Sequence, residues 1–275
     1  MSNILIKIIV PVYKNSFSLF EEVSLNQCRK VLKDYPLVFI KPESLNPEEL
    51  LRKYPEFQHE SFPDYFFKGK KGYNQLMLSP EFYGRFTDTE YILVYQTDAY
   101  VFRDDLKYWC DMSYDYIGAP WVDKERNPIA FFFYQRKLKK KPYRKDILFK
   151  VGNGGFSLRK TMSFLNITEK ENELINTYLS PDNPKIDFIP EDVFWALEPQ
   201  RLGYEFKIPD YKKALEFAFD QYPEKCFDMA GKLPFGCHAW HRTKGWKFWK
   251  KHFRELLKIQ YSALCSIDKM LIYFK

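Results

Sequence analysis

Tyr91-Ile-Leu-Val-Tyr-Gln-Thr-Asp-Ala-Tyr-Val-Phe102 decides the fold of this chain. Tyr91 to Tyr95 is an unbroken apolar and aromatic run, the pattern of a strand buried on both faces at the centre of an α/β sheet. It passes directly into Gln96-Thr97-Asp98, so a carboxylate stands where a central strand ends. Taken alone, such an acid is equally a turn or cap residue.

Upstream, Ile4 to Tyr13 is rich in Ile and Val and predicts a buried first strand that ends at Pro11. Phe17, Phe20, Ser24, Cys28 and Val31 recur at helical spacing, and Leu37 to Ile40 predicts a second strand. Strand, helix, strand is the opening of an α/β sheet. The Pro- and aromatic-rich stretch from Asn46 to Lys71 reads as irregular, followed by a helix near Tyr73 to Phe86. Downstream, Tyr114 to Trp121 reads as a strand. It leads into a long loop whose stretch from Arg136 to Lys145 holds seven Lys/Arg; such runs are usually solvated faces. A polar stretch spans Thr168 to Lys185.

With 275 residues, 45% hydrophobic and 19% aromatic, the chain can bury a sizeable core, which excludes a disordered protein. The apolar run Ile4 to Val12 is shorter than the roughly 20 residues a bilayer requires, so neither a transmembrane helix nor a signal peptide is expected. Cys28, Cys110, Cys226, Cys237 and Cys265 are scattered and never form Cys-x-x-Cys, which argues against a disulfide framework or zinc site and points to a reducing cytoplasm. The net charge of +7 resides in residues 242–275, which hold nine Lys/Arg against Glu255 and Asp268. The other 241 residues carry 34 charges of each sign, so a neutral main domain (1–241) and a basic tail (242–275) are expected.

Several segments carry candidate chemistry. Gly152-Asn-Gly-Gly155 permits close backbone approach to a ligand or a tight turn, without the spacing of a dinucleotide or Walker loop. Glu191-Asp192, after Pro190 and before Val193-Phe-Trp195, reads either as a helix-capping pair or as a general base that takes a proton from an attacking hydroxyl. His238 and His241 are metal-ligand candidates beside Gly236 and Trp240, or hydrogen-bonded histidines without metal. In the tail, Trp246, Trp249, Phe253, Leu256, Leu257, Leu264, Ile267 and Leu271 form one helical stripe, suited to a membrane interface with anionic lipid, to the protein's own core or to a second subunit.

Taken in order, Val10-Pro-Val-Tyr-Lys14, Tyr95-Gln-Thr-Asp-Ala99, Asp115-Tyr-Ile-Gly-Ala-Pro-Trp121, Gly152-Asn-Gly-Gly-Phe-Ser-Leu-Arg159, Pro190-Glu-Asp-Val193 and Phe235-Gly-Cys-His-Ala-Trp240 resemble a bacterial GT-A-like glycosyltransferase domain family long catalogued as of unknown function. The resemblance covers roughly residues 5–241. More distantly, the order is similar to inverting enzymes of the fringe and β-galactosyltransferase kind. The resemblance implies an α/β fold of the GT-A kind, a central mixed sheet flanked by helices, with the amphipathic helical tail appended. It implies a metal-dependent hexosyltransferase that moves a monosaccharide from a uridine diphosphate sugar to a glycan or lipid-linked glycan, with inversion, in surface polysaccharide synthesis. By the same likeness Asp98 and His238, less so His241, would hold Mn²⁺ or Mg²⁺. Asp192, with Glu191 beside it, would be the base. Pro11, Tyr13, Lys71, Gln96, Thr97 and Asp98 would border the donor, and Trp121, Asn153, Gly154 and Gly155 the acceptor. Gln96 and Thr97 stand where the earlier acids of an Asp-x-Asp motif would be. A cytoplasmic protein peripheral on the inner membrane face is expected. The competing readings are a non-catalytic nucleotide-sugar-binding module and, against the neutrality of the main domain, a nucleic-acid-binding protein.

Overall fold

The computed structural model describes residues 6–123, 128–182, 184–185 and 187–256. Its strands are, in chain order, β1 (Ile6–Pro11), β2 (Leu37–Pro42), β3 (Phe57–Phe62), β4 (Tyr91–Tyr95), β5 (Ala99–Val101), β6 (Tyr116–Ile117), β7 (Phe156–Lys160), β8 (Ala218–Phe219) and β9 (Gly236–His238). Six of them form a mixed sheet in the order β3-β2-β1-β4-β7-β6, and β5-β9-β8 form a small second sheet. The first four strands of the large sheet run parallel, and β7 lies antiparallel to both β4 and β6.

Side-chain alternation explains why these runs are apolar throughout. In β1, Ile8 and Val10 point into one core with Leu93, while Ile9 points into another with Ile92 and Val94. Helices Leu19–Val31 and Tyr211–Phe217 cover the first face, through Leu25, Cys28, Ala214 and Phe217. Helices Gly69–Met77, Thr161–Lys170 and Glu191–Arg201 cover the second, through Leu76, Phe164, Phe194 and Trp195. Helix Leu19–Val31 starts where Ser18 and Glu21 form a reciprocal capping box.

Several expected element boundaries shift, each for a local reason. The stretch 46–71 holds helix Glu48–Lys53, strand β3 and a 3₁₀ turn at Asp64–Phe67. Gln58, His59, Glu60 and Ser61 hide β3 from a hydrophobicity reading because it is an edge strand, buried only at Phe57 and Phe62. The helix expected over 73–86 is two, Gly69–Met77 and Pro80–Gly84, because Ser79 caps the second and Pro80 opens it. The strand expected over 114–121 shrinks to Tyr116–Ile117, Asp115 being occupied by Ser163 Oγ and the Lys207 amide. The basic run 136–145 is largely helical, Pro128–Lys140 followed by a 3₁₀ turn at Pro142–Arg144, and 168–185 contributes to helices Thr161–Lys170 and Asn172–Leu179.

The tail begins as helix Thr243–Leu256. Trp246, Trp249 and Phe253 are buried on the small sheet with Tyr100, Phe219 and Trp240, so these three side chains face the protein's own core and not lipid. Lys247 and Lys251 are exposed on the other side. Residues 257–275, with Leu257, Leu264, Ile267 and Leu271, and the side chain of Leu256 lie outside the described residues. Among the described residues no helix is long and apolar enough to cross a membrane.

Trp249 is fully buried and stacks on Phe102 at 5.6 Å. Trp249→Ala is expected to lower the unfolding free energy by about 3–5 kcal/mol, measured as a shift of the urea midpoint. An unchanged midpoint would mean that the helix is not part of the folded core.

Candidate active site

The strand order reverses at β1, since β2 lies on one side of it and β4 on the other. In an open α/β sheet the crevice beyond the carboxyl ends of two such strands is where ligands bind. A cavity of about 700 Å³ opens there, lined by Pro11 and Tyr13 after β1, by Gln96, Thr97 and Asp98 after β4, and by His241. Ring contact with Phe20 at 5.1 Å holds His241 in place. Lys14, Lys70, Tyr73 and Asn74 also line it, as do Ser18, Phe67, Gly69 and Glu21, whose carboxylate pairs with Lys14 at 2.8 Å; the sequence reading named none of these as site residues. Lys71, expected here, instead donates to Ser180 Oγ at 2.9 Å on the surface. One step along a helix turns the side chain by about 100°, so Lys70 takes the inward position. Lys14, adjoining Tyr13 in the same strand-end loop, was the one that position in the sequence could have found.

Two strand pairings assemble the centre. Antiparallel pairing of β4 with β7 sets Tyr95 opposite Phe156, which brings the Gln96 amide to the Gly155 carbonyl at 2.8 Å. Pairing of β5 with β9 sets Ala99 opposite His238. His238 Nε2 then lies 2.9 Å from Asp98 Oδ1 and 3.1 Å from Gln96 Oε1. Behind the ring, His238 Nδ1 is 3.3 Å from Asp220 Oδ1, a charge contact short of a well-aligned hydrogen bond. Asp220 follows β8 as Asp98 follows β4, and that strand-end position was its one signal in the sequence.

Electrostatics separate the groups. Burial alone would raise Asp98, but the His238 charge and hydrogen bond, with Arg242 at 3.5 Å, hold its carboxyl well below the usual range. Burial disfavours a charged His238, yet Asp98 and Asp220 on its two nitrogens push it up to about 10. For His241 burial wins and lowers the pKa.

Gly152-Asn-Gly-Gly155 works differently from the expectation of glycines approaching a ligand. A Cβ at Gly152 would stand 1.8 Å from the Trp121 ring, one at Gly154 1.7 Å from Glu191 Oε1, and one at Gly155 2.2 Å from His238 Nε2. The glycines make room for three of the chain's own side chains. The left-handed residue is Asn153, φ 69°, whose Oδ1 accepts the Gly155 amide at 3.1 Å.

Glu191 and Asp192 diverge although they are neighbours. Glu191 is buried in an ion pair with Arg159 at 3.0 Å, and Arg159 also donates to Tyr83 Oη at 2.8 Å and Ser157 Oγ at 3.1 Å. Burial pushes the Glu191 carboxyl up even against the Arg159 charge, but its Oε1 is committed to that guanidinium, and the geometry gives Glu191 a positioning role. Pro190 at the N-cap position offers no side-chain cap, but both acids lie in the first turn and Asp192 Oδ1 accepts the Val193 amide at 2.9 Å, so the capping reading of the pair holds in part for Asp192. Asp192 is half-buried in a second cavity of about 200 Å³, with Trp121, Tyr143 and Tyr222 among its walls. Burial first and the Glu191 charge second push Asp192 up to about 7.

Among the described residues no group of three or more His, Cys, Asp or Glu has metal-holding geometry. The smaller set at Asp98, His238 and Gln96 nonetheless suits a divalent cation that takes its other ligands from phosphate and water. A carboxylate behind the ligating imidazole, as Asp220 is, is the usual outer partner of a metal-bound histidine.

In three dimensions the chain is similar to the galactosyltransferase LgtC in complex with donor and acceptor sugar analogues, at 14% identity and a TM-score of 0.54, over 91% of this chain and 94% of that one. It is likewise similar to an active-site mutant of LgtC, at 16% identity and 0.55 over the same shares. The bifunctional glycosyltransferase WbbM matches at 11% identity and 0.53, over 94% of this chain and 50% of that one. These likenesses establish the fold as that of GT-A glycosyltransferases. No curated protein matches the chain in sequence. The model of the family described as Protein of unknown function DUF5672 matches residues 56–238, and the chain belongs to that family.

Proposed function

We propose that the protein is a glycosyltransferase that moves a monosaccharide from a nucleoside diphosphate sugar, a uridine one by the sequence resemblance, to a hydroxyl of a glycan or lipid-linked glycan. One arrangement carries this reading: Asp98 lines the larger cavity in contact with His238, which holds it charged, and Asp192 lines the smaller one, where burial beside Glu191 raises it to about 7. Environments that push two acids apart are how a site assigns them different work. The likeness of fold to LgtC, a galactosyltransferase, supports the same reaction class.

The donor occupies the larger cavity, its base against the 64% exposed ring of Tyr13 and its diphosphate toward Lys70, Asp98 and Lys14, the last of which pairs with Glu21. Asp98 and Gln96, with His238 once its Nε2 proton has left, would hold a divalent cation, which would supply positive charge to the diphosphate oxygens of the leaving nucleotide. Asp192 accepts the proton of the acceptor hydroxyl. That oxygen bonds to the anomeric carbon, the bond from carbon to the diphosphate oxygen breaks, and the nucleoside diphosphate departs with the electron pair. Inversion follows from the sequence resemblance alone.

A thermal-shift screen of sugar nucleotides with and without Mn²⁺ tests donor class and cation together, since whatever binds only the folded state raises its melting temperature. No shift with any of them would remove the reading. Gly155→Ala drives a methyl into His238 and is expected to abolish the Mn²⁺-dependent part of the shift.

Asp192→Asn should reduce transfer by about 10²–10⁴-fold while donor affinity stays within a few-fold. A base must be deprotonated to act, so kcat/KM of the wild type is expected to rise with pH up to about 7 and level off above it. A folded-state pKa above the unfolded value means that the folded protein binds the extra proton, so this group's stabilisation fades as pH rises from about 4 to 7. Asp192→Asn should therefore melt a few degrees above wild type at pH 8, with the difference closing at pH 5. A fully active variant would remove Asp192 as the base.

A further inference from the structure

The smaller cavity carries a cation that its chemistry as described leaves unused. Arg144 lines the same cavity as Asp192, and its Nε is buried without a hydrogen-bond partner. The residue as a whole is half-buried, but a buried donor N–H without a partner is costly until a ligand or water completes it. Its backbone is held by its neighbours: Tyr143 and Ile147, on either side of it in sequence, are buried against Val193, Ala196 and Leu197 of helix Glu191–Arg201. The acids nearest in sequence are already engaged, Asp146 with Arg201 at 3.1 Å and Asp187 with Lys141 at 3.0 Å.

The surroundings bear the same sign. Arg136, Lys137, Lys139, Lys140 and Lys145 are exposed along the segment that ends beside the cavity. Such a rim raises the local concentration of anions and speeds their arrival. Trp121 and Tyr222 supply the aromatic surface on which a saccharide ring packs, while polar groups fix its orientation. The cavity also holds Asp123 and Asp192, whose charges oppose an anion, so Arg144 is the group in its lining that would draw one.

We propose that the acceptor is anionic: a saccharide bearing a carboxylate or phosphate, which the Arg144 guanidinium binds while the sugar ring lies against Trp121 and Tyr222. A planar guanidinium fork matches either group with paired, charge-assisted hydrogen bonds. This rests on the glycosyl-transfer reading of the cavity that holds Asp192, and it narrows the acceptor from any glycan to an acidic one.

The test is calorimetric titration of the full chain with three probes of equal ring size: a methyl glucuronide, a hexose 1-phosphate and a neutral methyl glucoside. At least one anionic probe is expected to bind about tenfold tighter than the neutral one. The tighter of the two identifies carboxylate or phosphate as the group recognised. Arg144→Gln should bring the anionic probes to the neutral level, and Arg144→Lys should keep part of the preference. Equal affinity of the wild type for all three probes overturns the proposal, even if the variants fold poorly. So does a preference that survives in a folded Arg144→Gln protein. Hydrolysis of nucleotide sugars without acceptor separates the two readings. Anion preference without turnover of any donor sinks the transferase and leaves the anion site, whereas donor turnover with no anion preference sinks the anion site alone.

Discussion

A Cβ on Gly154 would stand 1.7 Å from a carboxylate oxygen of Glu191, and one on Gly155 2.2 Å from His238 Nε2. Both distances lie far inside van der Waals contact, so the site exists only because these positions carry no side chain. The loop joins the two cavities through what rests on it. Trp121, against Gly152, walls the smaller cavity, and His238, against Gly155, contacts Asp98 of the larger. Strand β7 fixes the loop's height by pairing with β4, and Asn153 absorbs the left-handed turn that lets it run flat beneath three side chains.

Arg159 does for the acids what the glycines do for the shape. Buried, with Tyr116 and Phe164 rings 5.7 and 5.5 Å from its guanidinium, it binds Glu191 and leaves Asp192 without a cation of its own. A buried ion pair contributes little net stability after desolvation, but breaking it strands a charge and is costly. Here the pair fixes a negative charge next to Asp192, and that charge helps keep Asp192 basic. Asp98 has the reverse environment, an imidazolium in contact and a guanidinium near. The chain thus separates two ordinary carboxylates by their neighbours alone.

What was legible in the sequence follows from which forces are local. Ile6–Pro11 and Tyr91–Tyr95 announce themselves because a strand covered on both faces must be apolar at every position. From there Asp98 and Gln96 follow as strand-end residues. Edge strand β3 stayed hidden because one solvated side permits Gln58, His59 and Glu60. The partners of Asp98 could not be read from spacing, because the β5–β9 register creates the contact with His238 and the β8–β9 pairing adds Asp220. The split between Glu191 and Asp192 was equally invisible, since Arg159, far off in sequence on β7, pairs with one of them and not the other. Lys71 was misplaced by one helical step, an error no composition argument corrects.

The helix at the end of the described chain bears on the site through one residue, Ala239. It adopts φ 54°, a conformation that a side chain with a Cβ takes only at a cost of about 1 kcal/mol or more. The turn it makes lets His238 meet Asp98, sends Trp240 into the aromatic cluster and returns His241 to the wall of the donor cavity. Trp240 packs on Phe253 at 4.8 Å and on Trp246 at 6.0 Å, both from helix Thr243–Leu256. Those contacts hold Trp240 in place and so oppose relaxation of the turn. The segment that composition marks as a basic tail therefore starts as a clamp on the strand that carries His238, and a boundary at residue 242 would separate the site from what holds it.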